Sequence, residues 1–125
     1  MGDWKGVIIE ESLGNKELLE DAEIVGRYKR DLESEGEKGL FHFYKVRVSD
    51  DVIEKVIRKG KSAIKRGWYI HLCKDDLMVI IYKDRSFRHI KGDKESLVEL
   101  RDYGKSIGIG DARLPDESFL ENPWA

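Results

Sequence analysis

The chain contains no glutamine and no threonine, and it has only two asparagines and one cysteine. Cys73 has no second cysteine to pair with inside the chain, so the sequence implies no oxidising compartment. Long apolar runs are also missing. No window approaches the run of about 18 apolar residues that spans a bilayer. The start, MGDWKGVIIEES, sets acids beside a short apolar run and lacks the basic start and longer apolar core of a secretion signal. These absences predict a cytoplasmic protein with no membrane contact. Charge of one sign is lacking too: 38% of the residues are charged, yet the net charge is −2. That balance argues against nucleic acid as a partner, because dedicated binders carry a strongly basic domain. Scarce thermolabile side chains among abundant Glu and Lys give a thermophile-like composition, which bears on temperature and not on function. There is no internal repeat and no low-complexity segment.

The 125 residues fit one domain, with 110–125 as a C-terminal tail. That length buries a hydrophobic core without metal or disulfide staples. Val7-Ile8-Ile9 reads as a buried strand. Asn15 is placed to cap a short helix through Leu18 and Leu19. Residues 22–32 alternate as a second strand, with Gly26 as a candidate bulge. The acidic, glycine-punctuated segment 33–39 reads as a hairpin loop. The third strand, LFHFYKVRV (40–48), carries His42, Tyr44, Val46 and Val48 on one face and Phe41 and Phe43 on the other.

A helix follows, with Ser49 as N-cap, the apolar stripe Val52, Ile53, Val56, Ile57, Ala63 and Ile64, and Gly67 as its stop. Gly60 lies near that stripe, where a sheet approaches. WYIHLC (68–73), LMVIIYK (77–83) and SFRHI (86–90) then form an antiparallel meander through the turns at 74–76 and 84–85. LMVIIY is apolar at both parities and is expected at the centre of the sheet. Asp93 caps a second helix that runs to about Ile107. The order predicts an α+β fold: a mostly antiparallel sheet with two main helices on one face, built as a ferredoxin-like βαββα core with an N-terminal β-α-β addition. A right-handed crossover would make strands 40–48 and 68–73 parallel and bring His42 beside His71.

The stretches WKGVIIEESL (4–13), GLFHFYKVRV (39–48), GWYIHLCKDDLMVIIYKDRSF (67–87) and RDYGKSIGI (101–109) together resemble a family of small conserved archaeal and bacterial proteins of unknown function. The resemblance spans most of the chain and implies no activity and no site residue. The helix leading into Gly67-Trp68 is more loosely similar to small dimeric ferredoxin-like barrel domains, which bind small molecules in a cleft. That similarity is one of fold alone.

Candidate chemistry gathers at 67–76. On a strand, Tyr69, His71 and Cys73 share a face, and His with Cys supplies either metal ligands or a nucleophile and base. Against this stands a free cysteine acting as a small buried hydrophobe. His42, His71 and His89 would make a zinc site only if three strands converge, and no local ligand spacing supports one. No metal and no cofactor is therefore expected. GKS at 104–106 lacks the first glycine of a phosphate-binding loop, position 99 being Glu. Lys55, Arg58, Lys59 and Arg66 line the polar side of the first helix, either as an anion site or as a solvated face. Strand alternation sends Glu10 and Glu11 to opposite faces, which disfavours an acid/base pair. The tail holds Phe119, Leu120 and Trp124 and is expected to fold back over an apolar patch.

The leading expectation is a small-molecule-binding or accessory domain, homodimeric through its sheet or an edge strand, with a ligand pocket lined by His42, Tyr69, His71 and Cys73. The alternatives are a metal- or thiol-dependent enzyme using the same residues, or a protein- or RNA-interaction module using helix 50–66 or the tail.

Overall fold

The computed structural model describes residues 2–31 and 39–124. Six strands form one antiparallel sheet: β1 (Asp3–Ile9), β2 (Glu23–Asp31), β3 (Leu40–Ser49), β4 (Ile70–Lys74), β5 (Leu77–Tyr82) and β6 (Arg85–Ile90). Their spatial order is β2-β3-β1-β4-β5-β6. The helices are α1 (Ile53–Ala63), α2 (Lys94–Ser106) and the short α3 (Ser118–Glu121). The fold is α+β, as the element order predicts.

β1 lies between β3 and β4. It pairs with β3 from Asp3↔Ser49 to Ile9↔Phe43, and with β4 from Lys5↔Cys73 to Val7↔His71. β3 and β4 therefore run in the same direction, as expected, but are not neighbours. Gly6 permits the close approach of β4: a Cβ there would sit 1.9 Å from the backbone oxygen of His71.

The helices lie on opposite faces, which corrects the one-face, ferredoxin-like expectation. Ile53, Val56 and Ile57 of α1 pack with Ile8, Val46, Val48, Leu72, Val79 and Ile81. Leu100 of α2 packs with Cys73, Met78, Ile80 and Tyr82 on the other face. The signal was the double-sided apolarity of LMVIIY. It does not mark the centre of the sheet, since β5 is second from an edge. Its two parities feed two separate cores, one under each helix. At roughly 1.5–3 kcal/mol per fully buried aliphatic side chain, α1 is docked more firmly than α2, which buries Leu100 and Gly104 alone.

Most local signals hold with shifts of a few residues, but Ser49 does not cap α1: its Oγ accepts from Asp51 N at 3.2 Å in the turn before the helix, and Val52 holds the N-cap position without a side-chain bond. The Asp93 carboxylate accepts from Ser96 N at 3.2 Å and caps α2. The Asn15 side chain accepts from Glu17 N at 3.1 Å and starts a 3₁₀ turn over Glu17–Asp21. The β2–β3 register slips between Ile24 and Gly26, the bulge expected at Gly26. Asp75 (φ 54) and Asp84 (φ 65) form the two tight turns. Gly60 meets the Ile81 side chain, 3.1 Å from where a Cβ would stand. α1 stops at Ala63 rather than at Gly67, because Ile64 turns extended and bridges Leu13. The hairpin loop expected at 33–39 lies, apart from Gly39, outside the described residues.

The tail folds back over the face opposite α1. Phe119 and Leu120 pack against the α2-side core, and the Trp124 indole donates to the Val46 carbonyl at 3.0 Å, next to the β2 bulge.

Candidate functional site

Tyr69, His71 and Cys73 share a face, as alternation predicts, and that face meets protein. The His71 ring is 5% exposed and stacks on Phe119, with centroids 3.8 Å apart and planes within 1°. Its Nε2 donates to the Pro123 carbonyl at 2.7 Å. Burial lowers its pKa from 6.5 to about 4, against the raising effect of that bond, so the ring is neutral at pH 7. Tyr69 makes edge and tilted contacts with Tyr82 and Phe119. Cys73 is 4% exposed, and burial pushes its thiol up to about 12. A protonated thiol is a poor nucleophile and a poor metal ligand, and His71 spends its Nε2 on Pro123 rather than on Cys73. Cys73 does border an open cleft of about 600 Å³ with Lys5, Arg47, Lys74, Leu120 and Pro123. Two of the bases there are already paired: Arg47 with Asp3 and Glu23 at 3.7 and 3.2 Å, and Lys74 with Asp50 at 3.1 Å.

His89 is a structural tie between elements. Its Nδ1 lies 2.5 Å from Ser96 Oγ, and its Nε2 lies 2.6 Å from Glu117 Oε2. Glu117 also accepts from Gly92 N at 2.8 Å, and these bonds hold its carboxyl below the usual range. Ser, His and Glu stand in the order of a hydrolase relay, but Ser96 Oγ also bonds Asp93 O at 3.2 Å and the ring is fully enclosed. The set joins β6, the first turn of α2 and the start of the tail.

His42 differs from both. Its side chain is 44% exposed, and it lies on the opposite face of the sheet from His71. The pocket expected from His42, Tyr69, His71 and Cys73 is therefore split in two by the sheet. The expected neighbourhood of His42 and His71 fails because β1 separates their strands and the register turns them to different sides. Among the described residues no group of three or more His, Cys, Asp or Glu side chains is arranged to hold a metal ion.

What surrounds His42 was not legible as a site. β1 ends at Ile9, and Glu10–Ser12 forms a 3₁₀ turn. Strand alternation stops there, so both carboxylates reach the same face of β3, against expectation. Ile9↔Phe43 is the last β1–β3 pair, and beyond it the His42 N–H has lost its ladder partner. Glu11 supplies the replacement: one carboxylate oxygen accepts from His42 N at 2.8 Å and the other from ring Nδ1 at 2.5 Å. Burial works to raise the Glu11 pKa, but its hydrogen bonds outweigh that and hold it lowered. Glu10 accepts from Lys16 at 2.6 Å and from the Tyr44 hydroxyl, bonds that keep its carboxyl low and the Tyr44 phenol high.

On the other side of β3, Lys29 is the register partner of His42 and Arg27 that of Tyr44. Paired residues share a face, so two bases join the histidine and the tyrosine. Arg27 sits 5.7 Å from the Tyr44 ring centroid. Arg27, Lys29, His42 and Tyr44, with Tyr28 and Phe43, border a surface cleft of about 280 Å³. The swing of Glu10 and Glu11 left no trace in the sequence pattern.

The basic side of α1 is partly neutralised. Lys55 and Lys59 both pair with Asp21, at 3.3 and 2.7 Å, while Arg58 and Arg66 remain exposed. No helix among the described residues is long and apolar enough to cross a membrane. Comparisons of the chain with protein-family models, with curated proteins and with solved structures find no match.

Proposed function

We propose that the protein is a small-ligand-binding domain that takes an anionic molecule over the β2–β3 face. The observation that carries this reading is the Glu11–His42 dyad beside two bases. Glu11 holds Nδ1, which leaves Nε2 free of protein partners among the described residues. Arg27 and Lys29 flank it without an ion-pair partner among those residues. The planar guanidinium of Arg27 and the ammonium of Lys29 suit a phosphate or carboxylate group. This reading gives Cys73 no chemical role: its side chain is 4% exposed and burial raises its thiol pKa. A cytoplasmic setting goes with this reading, with the single cysteine remaining a thiol.

The test is an NMR titration of the folded protein with inorganic phosphate and with small dicarboxylates, following the His42 ring. Binding should weaken as salt rises. Arg27→Ala and Lys29→Ala should each weaken binding several-fold. Saturation that is absent, or that is unchanged in both variants, refutes the site.

A further inference from the structure

We propose that Nε2 of His42 accepts a phosphoryl group from a small activated phosphoryl donor, an inference that rests on the anion-binding reading of the same cleft. Three features of the geometry point to it. First, Glu11 is ionised and accepts from Nδ1, so in the neutral ring the proton sits on Nδ1 and the lone pair on Nε2. Second, the second Glu11 oxygen is bound to the His42 backbone N–H, which fixes the carboxylate and with it the ring. Third, Arg27 and Lys29 share the face and can hold phosphoryl oxygens beside the nucleophile. His71 and His89 have none of this: the first is buried under Phe119, and the second has both nitrogens engaged.

In the step, the Nε2 lone pair attacks phosphorus. The Nε2–P bond forms as the bond from phosphorus to the leaving group breaks, and the leaving group departs with that electron pair. The ring gains positive charge, and the Nδ1 proton, shared with the Glu11 carboxylate, lets that carboxylate offset it. With phosphoramidate as donor, the bond broken is P–N and ammonia leaves after taking up a proton from water.

Glu11 is a positioning residue here, and Glu11→Gln is the informative variant. A carboxylate accepts from both the backbone N–H and Nδ1–H. An amide that accepts from the backbone N–H must turn its NH₂ to Nδ1, which drives the ring proton onto Nε2 and removes the lone pair.

The experiment treats the folded protein with phosphoramidate and follows it by intact mass and ³¹P NMR, alongside N-acetylhistidine. The expected result is a single phosphoryl group on Nε2 of His42, loaded about tenfold faster than on N-acetylhistidine, the scale of one charge-assisted hydrogen bond. His42→Asn should abolish it. Arg27→Ala and Glu11→Gln should each bring the rate down to that of the free amino acid, and ¹⁵N NMR of Glu11→Gln should show the proton on Nε2. Loading no faster than N-acetylhistidine, or unaltered by Glu11→Gln, overturns the proposal as mere exposure. Absence of loading while inorganic phosphate still binds overturns this inference and leaves the ligand site standing. Absence of both removes the two together.

Discussion

Replacing His71 with glutamine should flatten the response of stability to acid. His71 is buried and neutral, with its pKa lowered from 6.5 to about 4 by burial. Between those two values the unfolded chain binds a proton that the native chain does not. The stabilisation is therefore complete above pH 6.5 and is lost as pH falls toward 4. At 1.36 kcal/mol per pKa unit the full loss is roughly 3 kcal/mol, of which about 2 kcal/mol falls between pH 7 and pH 5. The lowered carboxylates Glu10, Glu11, Asp21, Asp50 and Glu117 work in the same direction, but only below their unfolded values of 4.5 or 3.8, outside most of this window. Glutamine carries its amide N–H near the position of ring Nε2, so it keeps the donor to Pro123 while abolishing the titration. The Phe119 stack is lost in the variant equally at both pH values, so it drops out of the comparison. Urea melts of both proteins at pH 7 and pH 5 measure the difference. The wild type should lose about 2 kcal/mol more than the variant on going to pH 5. Equal losses would mean that His71 is not enclosed by the tail as described.

Gly6→Ala should cost about 3 kcal/mol of stability by driving β1 and β4 apart, while Gly110→Ala, where no atom lies within 4 Å of the new Cβ, should be near neutral; equal melting temperatures for the two would contradict the β1–β4 approach. Cys73 should resist thiol-alkylating reagents at pH 8 in the native state and react readily in urea, and comparable rates would contradict its burial. Tyr82→Phe removes a buried 2.7 Å bond to the Leu100 carbonyl and should cost about 1 kcal/mol in urea melts, with no change showing that the bond contributes nothing net.

The sequence carried the elements more plainly than their arrangement. Asp93, Asn15 and Gly26 act locally, through a side-chain oxygen or a missing Cβ, and each sits where its chemistry placed it. The position of β1 in the sheet is set by which strand leaves a free edge beside which, and no local pattern records that. LMVIIY did record cover on both faces, and the error lay in reading two-sided apolarity as centrality. At the candidate site, GWYIHLCKDD drew attention because it gathers rare residues, yet His71 and Cys73 are spent on holding the tail and filling the core. Glu10 and Glu11 looked like strand residues, and only the 3₁₀ turn after Ile9 swings them toward Tyr44 and His42.

The place of β1 also bears on how the chain assembles. Its ladders to β3 and β4 are the seam that joins the β2–β3 hairpin to the β4–β5–β6 meander. Both of those units can form from near neighbours, but the seam cannot close until residues 70–74 have been synthesised, long after residues 3–9. Until then the apolar Val7-Ile8-Ile9 has one partner strand at most, and closing the seam is a non-local pairing of the kind that slows folding. Deleting residues 3–9 would leave two half-sheets with facing open edges, and a separate peptide of that sequence is the piece that should knit them together.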